Sequence, residues 1–373
     1  MAQTSRKMND EELLRRALSL APNGAIGAHP NPMVGAVVAK SGRVIGEGWH
    51  EYFGGPHAEI NALAAAGKRA RGGTLYVTLE PCSTFGKTPP CTDAIIKARI
   101  ARVVFGAADP NPANAGRAAI VLRAAGIKVS AGLLRAECAA LNPAFNKFMR
   151  AGMPYVTVKI AESLDGKITD AAGRSRWISG PESRAKTHEL RAMNDAVITG
   201  IGTVLKDNPL MTARLAKASR QPLRVVLDSK LQIPFSADIV KTVSADAPAL
   251  IACADGASES KMDALGKSGC AVFMFKSSDG KVPLKPLLRE LGKYGISCAL
   301  VEAGAALTGA FNDAGLIDRY VLFVAPTVLG GKTALPALGG KGVLKNYGGL
   351  LGLRLKNVSI AMCGGDIMVT GER

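Results

Sequence analysis

The sequence predicts an α/β protein made of two domains. Its 373 residues exceed the usual size of one domain, so we expect two hydrophobic cores. Short apolar runs typical of strands alternate with helix-like segments along the chain, which favours sheets covered by helices. The alternation is interrupted at residues 150–154, where Gly152 and Pro154 indicate a linker. We therefore expect domains over residues 1–152 and 153–373.

The first half predicts one sheet between two layers of helices. It opens with a helix that Asn9 and Asp10 cap and that ends at Pro22. The remaining elements alternate in type, as in a three-layer α/β/α sandwich. Strands are expected at 33–39, 44–49, 74–79, 102–105 and 127–130, and helices at 58–66, 92–99, 116–125 and 133–141.

The second half restarts the alternation and predicts another α/β domain. Strands are expected at 155–161, 196–199, 223–227, 249–252, 271–275, 297–302 and 319–325, a helix near 306–314, and a hairpin over 357–370. The glycine-rich segment 200–203 follows a strand but lacks the third glycine of a dinucleotide-binding fingerprint, which disfavours a Rossmann domain.

Composition narrows the class of ligand and the compartment. The chain has 47 Lys and Arg against 30 Asp and Glu, a formal charge of +17. The positive residues are dispersed along the sequence, and aromatic residues that could stack on bases are few. This balance favours phosphate-bearing small molecules over a polynucleotide. No apolar run is long enough for a membrane span and the start is polar, so we expect a cytoplasmic protein. Seven cysteines do not indicate a disulfide framework, and we expect Cys138, Cys253 and Cys298 to be buried.

Three short motifs predict one metal centre. His57, Cys82 and Cys91 offer one imidazole and two thiolates, a set that leaves the fourth position of a zinc ion open to water. Both His57 and Cys91 follow prolines and are expected at helix N-termini, where the positive helix end favours thiolate. This order of histidine-x-glutamate, proline-cysteine and cysteine is typical of zinc-dependent nucleobase deaminases. We expect Glu59 to take a proton from the activated water and to deliver protons to the ring nitrogen and the departing ammonia.

Two other interpretations stay open at this point. A structural zinc clip in a binding protein would need a fourth protein ligand, for which His50 is the nearby candidate. An RNA or nucleoside deaminase with a non-catalytic C-terminal domain would use the basic charge for RNA binding.

The spacing of the two cysteines points to a family. Eight residues separate Cys82 from Cys91, and the segment 80–91 resembles the bifunctional deaminase–reductase family of riboflavin biosynthesis. The segments 31–35, 48–50, 109–112 and 163–167 support this resemblance, which runs essentially end to end. It implies a cytidine-deaminase-like N-terminal domain, a dihydrofolate-reductase-like C-terminal domain, and Zn²⁺ and NADPH as cofactors.

The resemblance implies two consecutive reactions. The first is hydrolytic deamination of 2,5-diamino-6-(5-phosphoribosylamino)pyrimidin-4(3H)-one. The second is NADPH-dependent reduction of the ribosyl side chain to give 5-amino-6-(5-phosphoribitylamino)uracil, with hydride passing to C1′ of a ring-opened imine. The expected partner is thus a phosphorylated pyrimidine, with no nucleic acid and no membrane. We also expect a homo-oligomer.

The resemblance assigns residues to the deaminase pocket. The pyrimidine and its phosphate are expected to meet Asn31, His50, Lys87, Asp109 and Asn111. The chain departs from the family at Thr84 and Phe85, because the family usually has a histidine in the position of Thr84. The zinc ligands are unchanged, so deaminase activity is expected to survive, but the substrate contact usually ascribed to that histidine is in doubt.

The resemblance also assigns residues to the reductase site. NADPH is expected to meet Ala161, Trp177, Thr203, Asp207, Ser229 and the stretch from Gly304; the phosphoribosyl substrate is expected to meet Ser175, Arg191, Met211, Arg214 and Glu302. Without the resemblance, Trp177 is interpreted as a core residue, Arg191 as part of a solvated helix face, and Asp165 as a turn residue.

Overall fold

The computed structural model describes residues 6–86, 88–215, 220–342, 346–347 and 350–373. The chain forms two compact units, Met1–Ala151 and Gly152–Arg373, which we call the N-terminal and C-terminal units. Each unit contains a sheet with helices, so the predicted α/β class is confirmed. Within the described residues no helix is both long and apolar enough to cross a membrane.

The N-terminal unit follows the predicted order of elements. Its strands are β1 (Gly35–Lys40), β2 (Arg43–Trp49), β3 (Thr74–Leu79), β4 (Arg102–Ala107) and β5 (Lys128–Ala131). Its helices are α1 (Asp10–Leu20), α2 (Ala58–Ala66), α3 (Cys91–Lys97), α4 (Arg117–Ala124), α5 (Arg135–Ala140) and α6 (Pro143–Ala151), with short 3₁₀ turns at Ala21–Gly24 and Gly67–Ala70. Helix α1 begins as predicted, because the Asn9 side chain accepts from the Glu12 N–H and the Glu12 carboxylate accepts from the Asn9 N–H.

The sheet of the N-terminal unit has the order β2-β1-β3-β4-β5. Strand β1 pairs antiparallel with β2 and β3, whereas β3, β4 and β5 run parallel. Nearly every residue of β1, β3 and β4 is buried, so the sheet is covered on both faces, as the three-layer prediction requires.

Two glycines set the distance between α2 and β2. A Cβ at Gly46 would lie 2.4 Å from the Ala62 carbonyl oxygen, and one at Gly48 would lie 2.5 Å from the Ala62 nitrogen. Side chains at these positions would collide with the helix backbone, so only glycine permits this close packing. The helix that carries His57 and Glu59 at its start is thereby fixed against the sheet.

The C-terminal unit contains the strands and helices that follow α6. Its strands are β6 (Tyr155–Ser163), β7 (Ala196–Gly200), β8 (Leu223–Leu227), β9 (Ala249–Ala254), β10 (Ala271–Phe275), β11 (Cys298–Val301), β12 (Arg319–Ala325), β13 (Asn346–Tyr347), β14 (Leu350–Leu351), β15 (Lys356–Cys363) and β16 (Asp366–Glu372). Its helices are α7 (Pro181–Ala192), α8 (Ile201–Asp207), α9 (Asp238–Lys241), α10 (Glu259–Lys267), α11 (Leu284–Lys293) and α12 (Ala305–Asp313).

The large sheet of the C-terminal unit has the order β10-β9-β8-β7-β11-β6-β12-β16-β15. It is parallel from β10 to β12 and ends in the predicted hairpin of β15 and β16. Consecutive residues of one strand enter different cores, since Val225 packs in the cluster with Phe311 and Val226 in the cluster with Leu265. Helices therefore cover both faces of the parallel part.

Some local predictions need correction. Helix α6 occupies a segment for which the sequence analysis predicts no helix. Its local signal is Pro143, a favourable first residue of a helix. The short ladder of β13 and β14 was also not predicted. Cys138, Cys253 and Cys298 are buried, as expected.

Candidate functional sites

The first site is formed at the starts of two helices in the N-terminal unit. His57 is the N-cap of α2, with Glu59 in the first turn, and Cys91 is the first residue of α3. Cys82 lies in the loop that follows β3, where its carbonyl accepts the N–H of Thr92 at 3.2 Å. The folding of this loop back onto α3 brings the three predicted ligands together.

The three ligand atoms form a triangle of the size a zinc ion requires. The Nδ1 atom of His57 lies 3.2 Å from the sulfur of Cys91 and 3.5 Å from that of Cys82. Ligands about 2.0–2.3 Å from a tetrahedral zinc are about 3.5–3.8 Å apart, so small adjustments would accommodate the ion. The donor set of one imidazole and two sulfurs also suits zinc.

The charges of the site are arranged for a cation. Hydrogen bonds from the Cys91 thiol, from His57 and from the Cys91 N–H lower the pKa of Cys82 to about 4. The same contact with Cys82, together with burial, raises the pKa of the Cys91 thiol well above its usual value. Without an ion, one proton thus remains on Cys91 while Cys82 carries the negative charge.

No fourth side chain among the described residues joins this ligand triangle. His50, the one candidate for that role, has both ring nitrogens engaged: Nδ1 with the Pro56 carbonyl at 2.9 Å and Nε2 with the Asn31 side-chain amide at 3.0 Å. Its ring stands edge-on to that of His57, with centroids 5.2 Å apart. Burial lowers the pKa of His50, so a neutral imidazole supports the His57 ring. The geometry is that of an open site rather than a closed structural clip.

Glu59 lies beside the ligands without belonging to them. Its side chain is 3% exposed, and burial raises the pKa of its carboxyl to about 6. A carboxyl with such a pKa can both accept and donate protons near neutral pH, which is the property a proton shuttle needs.

The other residues expected in the deaminase pocket are only partly free to meet a ligand. Asn31 uses its amide nitrogen for His50. Asp109 is buried and accepts from the Asn111 N–H at 2.9 Å and from the Asn114 side chain at 3.0 Å. Asn111 accepts from the Ala113 N–H through its side-chain oxygen. The expected residue Lys87 lies outside the described part of the chain.

Three further residues, which were not predicted from the sequence, shape this pocket. Glu80 and Asn114 are buried polar residues that join the loop after β3 to the loop after β4. Asn142 pairs with both backbone groups of Met33, at 2.7 and 2.8 Å, and so fixes the segment that carries Asn31. The signal for Glu80 is its place directly after an apolar strand, because a charged residue is rarely buried there unless it is paired with other polar groups.

The second site is a cavity of about 1080 Å³ in the C-terminal unit. It opens beyond the carboxyl ends of β6, β7 and β11, the usual position of ligand sites in parallel sheets. Ten of the eleven residues expected at the reductase site line it: Ala161, Ser175, Trp177, Arg191, Thr203, Asp207, Met211, Arg214, Glu302 and Gly304. Two of them assigned to different ligands touch, since the Ser175 hydroxyl lies 3.3 Å from an Asp207 carboxylate oxygen.

The eleventh residue, Ser229, does not line this cavity. Its hydroxyl accepts from the Val282 N–H at 3.1 Å, in the loop that follows β8. A cofactor that reached Ser229 would have to extend beyond the cavity.

Two interpretations made without the family are wrong. Trp177 is 70% exposed, with the Arg184 guanidinium 4.8 Å and the Arg176 guanidinium 5.6 Å from its ring centroid, so it is not a core residue. Arg191 does not lie on a solvated face but forms a bidentate ion pair with Glu302, at 2.6 and 3.0 Å. Burial alone would raise the pKa of Glu302, but the charge of Arg191 holds it below its usual value.

Asp165 is a turn residue, as expected, and its carboxylate also anchors a second loop. It accepts from the Ser163 hydroxyl and from the N–H groups of Leu329 and Gly330.

Lys159 and His188 also line the cavity and were not predicted. Burial lowers the pKa of Lys159, whose ammonium has no hydrogen bond or ion pair to any residue that the structure describes. The Nδ1 atom of His188 accepts from the Arg214 N–H at 3.3 Å. The signal for Lys159 is its place in the middle of a mostly apolar strand segment, residues 155–161.

Comparison with protein families gives two matches, one within each unit of the chain. Residues 7–107 match the cytidine and deoxycytidylate deaminase zinc-binding region. Residues 154–369 match the RibD C-terminal domain. The first match covers the ligand triangle, and the second covers the cavity.

Similarity to whole proteins extends over nearly the full chain. The riboflavin biosynthesis proteins RibD of Actinobacillus pleuropneumoniae and Aquifex aeolicus are 38% and 39% identical over 97% and 98% of this chain, and the matches cover 95% and 98% of those proteins. RibD of Acinetobacter baumannii superposes with a TM-score of 0.84 at 38% identity, over 97% of this chain and 98% of that chain.

A deaminase/reductase from Thermotoga maritima has a TM-score of 0.80 at 36% identity, again over 97% of this chain and 98% of that chain. Because these similarities include the C-terminal unit, they favour two activities over an RNA deaminase with a non-catalytic second half. The chain belongs to the RibD family and is a bifunctional deaminase and reductase of riboflavin biosynthesis that uses Zn²⁺ and NADPH.

Proposed function

We propose that the two activities are divided between the two parts of the chain. Residues 1–152 would deaminate the diaminopyrimidine, and residues 153–373 would reduce the ribosyl side chain of the deaminated product. The observation that carries the first half of this proposal is the triangle of His57, Cys82 and Cys91 with the buried carboxyl of Glu59 beside it. A zinc ion held there supplies an activated water nucleophile at neutral pH.

Glu59 performs the proton transfers of the deamination. Its carboxylate accepts one proton of the attacking water and delivers it to the ring nitrogen. The carboxylate then accepts the remaining proton, from the hydroxyl on the attacked carbon, and delivers it to the leaving amino group. Burial raises its pKa to about 6, so neither protonation state is out of reach near neutral pH. One C–N bond breaks, one C–O bond forms, and ammonia leaves.

The pocket residues orient the pyrimidine. The side-chain oxygen of Asn31 is available to read an N–H edge of the ring, because its nitrogen is committed to His50. The nitrogen of Asn111 has no partner among the described residues and can donate to a ring acceptor. Lys87 is proposed to meet the phosphate as a mobile positive charge.

The cavity of the C-terminal unit is the proposed site of reduction. NADPH supplies the hydride. Trp177, Thr203, Asp207, Ala161 and the chain from Gly304 would hold the cofactor, with Ser229 meeting its distant end. Ser175, Arg191, Met211, Arg214 and Glu302 would hold the phosphoribosyl substrate, in which the guanidinium of Arg214 is a suitable fork for the phosphate.

The division of labour is tested by mass spectrometry of the diaminopyrimidine after incubation with zinc-loaded protein, with and without NADPH. We expect amine to be replaced by oxygen in both tubes and hydrogen to be added only with NADPH. The Glu59→Gln protein should lose the first reaction and still reduce the deaminated compound when that is supplied. Deamination by the Glu59→Gln protein at the parental rate would contradict the proposal.

We also infer that the protein is a homo-oligomer in which a second copy covers β15. This strand is last in the sheet order of the described residues, and all but its final residue are exposed. Val358, Ile360 and Met362, which share one face of the strand, are 54%, 71% and 67% exposed. A long apolar edge of this kind is normally covered, and two identical edges can pair about a twofold axis.

Light scattering after size-exclusion chromatography tests this interface. Ile360→Lys should convert the oligomer to monomers because it places a charge on the pairing edge. Ile120→Lys, at the equally exposed Ile120 (68%) of α4, is the matched control and should leave the mass unchanged. A monomeric parent protein, or an Ile360→Lys protein of parental mass, would refute the inference.

A further inference from the structure

Thr84, two residues after the zinc ligand Cys82, is hydrogen-bonded to the protein itself. Its hydroxyl donates to the side-chain oxygen of Asn114 at 2.9 Å. The Asn114 side chain is buried, and its nitrogen donates to Asp109 at 3.0 Å. This hydrogen bond thus connects the loop after β3, which carries Cys82, to the loop that carries Asp109 and Asn111.

Glu80 closes this connection into a ring. Its carboxylate oxygen Oε2 accepts from the Asp109 N–H at 3.2 Å and from the Gly116 N–H at 3.0 Å. Glu80 stands two residues before Cys82, and Thr84 stands two residues after it. The ring therefore runs from Glu80 through Cys82 to Thr84, crosses to Asn114 and Asp109, and returns to Glu80.

Within this ring, both oxygens of Asp109 are used by the protein. One accepts from the Asn111 N–H and the other from Asn114. The carboxylate therefore sets the backbone of Asn111, whose side-chain nitrogen remains available to a ligand. Any change in the contact between Thr84 and Asn114 would reach Asn111 through Asp109.

We propose that Thr84 is a positioning residue for the pyrimidine pocket, acting through Asn114 rather than by touching the substrate. The proposal rests on the assignment of deamination to the N-terminal unit. A threonine is suited to the role because its β-branch restricts the side chain to few rotamers while its hydroxyl donates.

The test is a double-mutant cycle on the full-length, zinc-loaded protein. Thr84→Val removes the hydroxyl at nearly constant shape, Thr84→Ser retains it, and Asn114→Ala removes its acceptor. We measure kcat and KM for deamination without NADPH, zinc content, and the rate of reduction of the deaminated compound. Because the pocket is loosened and the zinc ligands are retained, Thr84→Val should raise KM about five- to tenfold with a smaller change in kcat.

The expected pattern separates positioning from direct contact. Thr84→Ser should restore the parental KM, and Thr84→Val should add nothing in the Asn114→Ala background, since the partner is already gone. Zinc content and reduction of the deaminated compound should be parental in every variant. Equal factors for Thr84→Val in both backgrounds would show a direct substrate contact and overturn the proposal.

Two other results would also overturn it: an unchanged KM in Thr84→Val, or loss of zinc from that variant. The Glu59→Gln protein is assayed alongside to keep the two hypotheses apart. If Glu59→Gln still deaminates, the proposed function fails. If Glu59→Gln is inactive and Thr84→Val is parental, only the role of Thr84 fails.

Discussion

Gly48 offers a test of how packing controls the metal centre. A Cβ at this position would lie 2.5 Å from the Ala62 nitrogen, 2.6 Å from the Asn61 Cβ and 2.8 Å from the Ala58 carbonyl oxygen. Ordinary contacts begin near 3.4 Å, so Gly48→Ala requires α2 to retreat by about 0.9 Å. The atoms in the way belong mostly to the helix backbone, which cannot turn aside as a flexible side chain would.

The retreat should be visible in stability and more strongly in activity. Overpacking of this kind costs about 1–3 kcal/mol of the free energy of unfolding. Since α2 carries His57 and Glu59, a displacement near 1 Å should lower kcat/KM for deamination by about 100-fold, while reduction of the deaminated compound is retained.

Urea unfolding and separate assays of the two reactions measure these effects. The matched control is Gly266→Ala in α10, where an added Cβ meets no atom within 4 Å. This control should be neutral or slightly stabilising, because alanine favours a helix by about 1 kcal/mol over glycine. Parental deaminase activity in the Gly48→Ala protein would refute the argument that glycine fixes the helix that holds the ligands.

Three further outcomes follow from the geometry. At pH 8, zinc binding to metal-free protein should release about one proton, because the pKa of Cys91 is raised and that of Cys82 is about 4. Calorimetry in buffers of different ionisation enthalpy counts the protons released. Release of two protons would contradict the charge assignment. Glu302→Gln should lower the free energy of unfolding, measured by urea titration, by about 3 kcal/mol, because the Arg191 side chain is only 12% exposed and would lose its anionic partner. A loss below about 1 kcal/mol would contradict this. Arg224→Leu should lower the free energy of unfolding by a similar amount, about 3 kcal/mol, because the buried guanidinium donates to Thr242 and to several carbonyl groups that would lose their partner. An unchanged urea midpoint would contradict this.

Strands and zinc ligands could be predicted from the sequence because the residues that indicate them are neighbours in the chain. The alternation of apolar runs predicted the strands of both sheets to within about two residues, because burial on both faces leaves few other patterns. The histidine–glutamate pair lies two residues apart, and each zinc ligand is marked by a proline or a helix start, so its position could be predicted without tertiary information.

Contacts between distant residues could not be predicted in this way. Thr84 and Asn114 lie 30 residues apart, and Arg191 and Glu302 lie 111 residues apart. Nothing in the neighbourhood of any of these residues indicates its partner, because hydrogen bonding between loops depends on how the strands before them are ordered in the sheet. The family resemblance placed Arg191 and Glu302 at one site but did not imply that they pair with each other.

Three residues at the two sites depart from the usual rules of burial. Trp177 was expected in the core because large apolar residues are usually buried, yet the rule that buried residues are apolar does not mean that every apolar residue is buried. Lys159 and Glu59 depart from the complementary expectation that charged residues lie on the surface, since Lys159 is half-buried in β6 and Glu59 is buried. All three residues border the metal centre or the cavity. A folded chain tolerates such exceptions where a ligand will complete the contacts, so at these three positions a departure from the burial rules coincides with a candidate site.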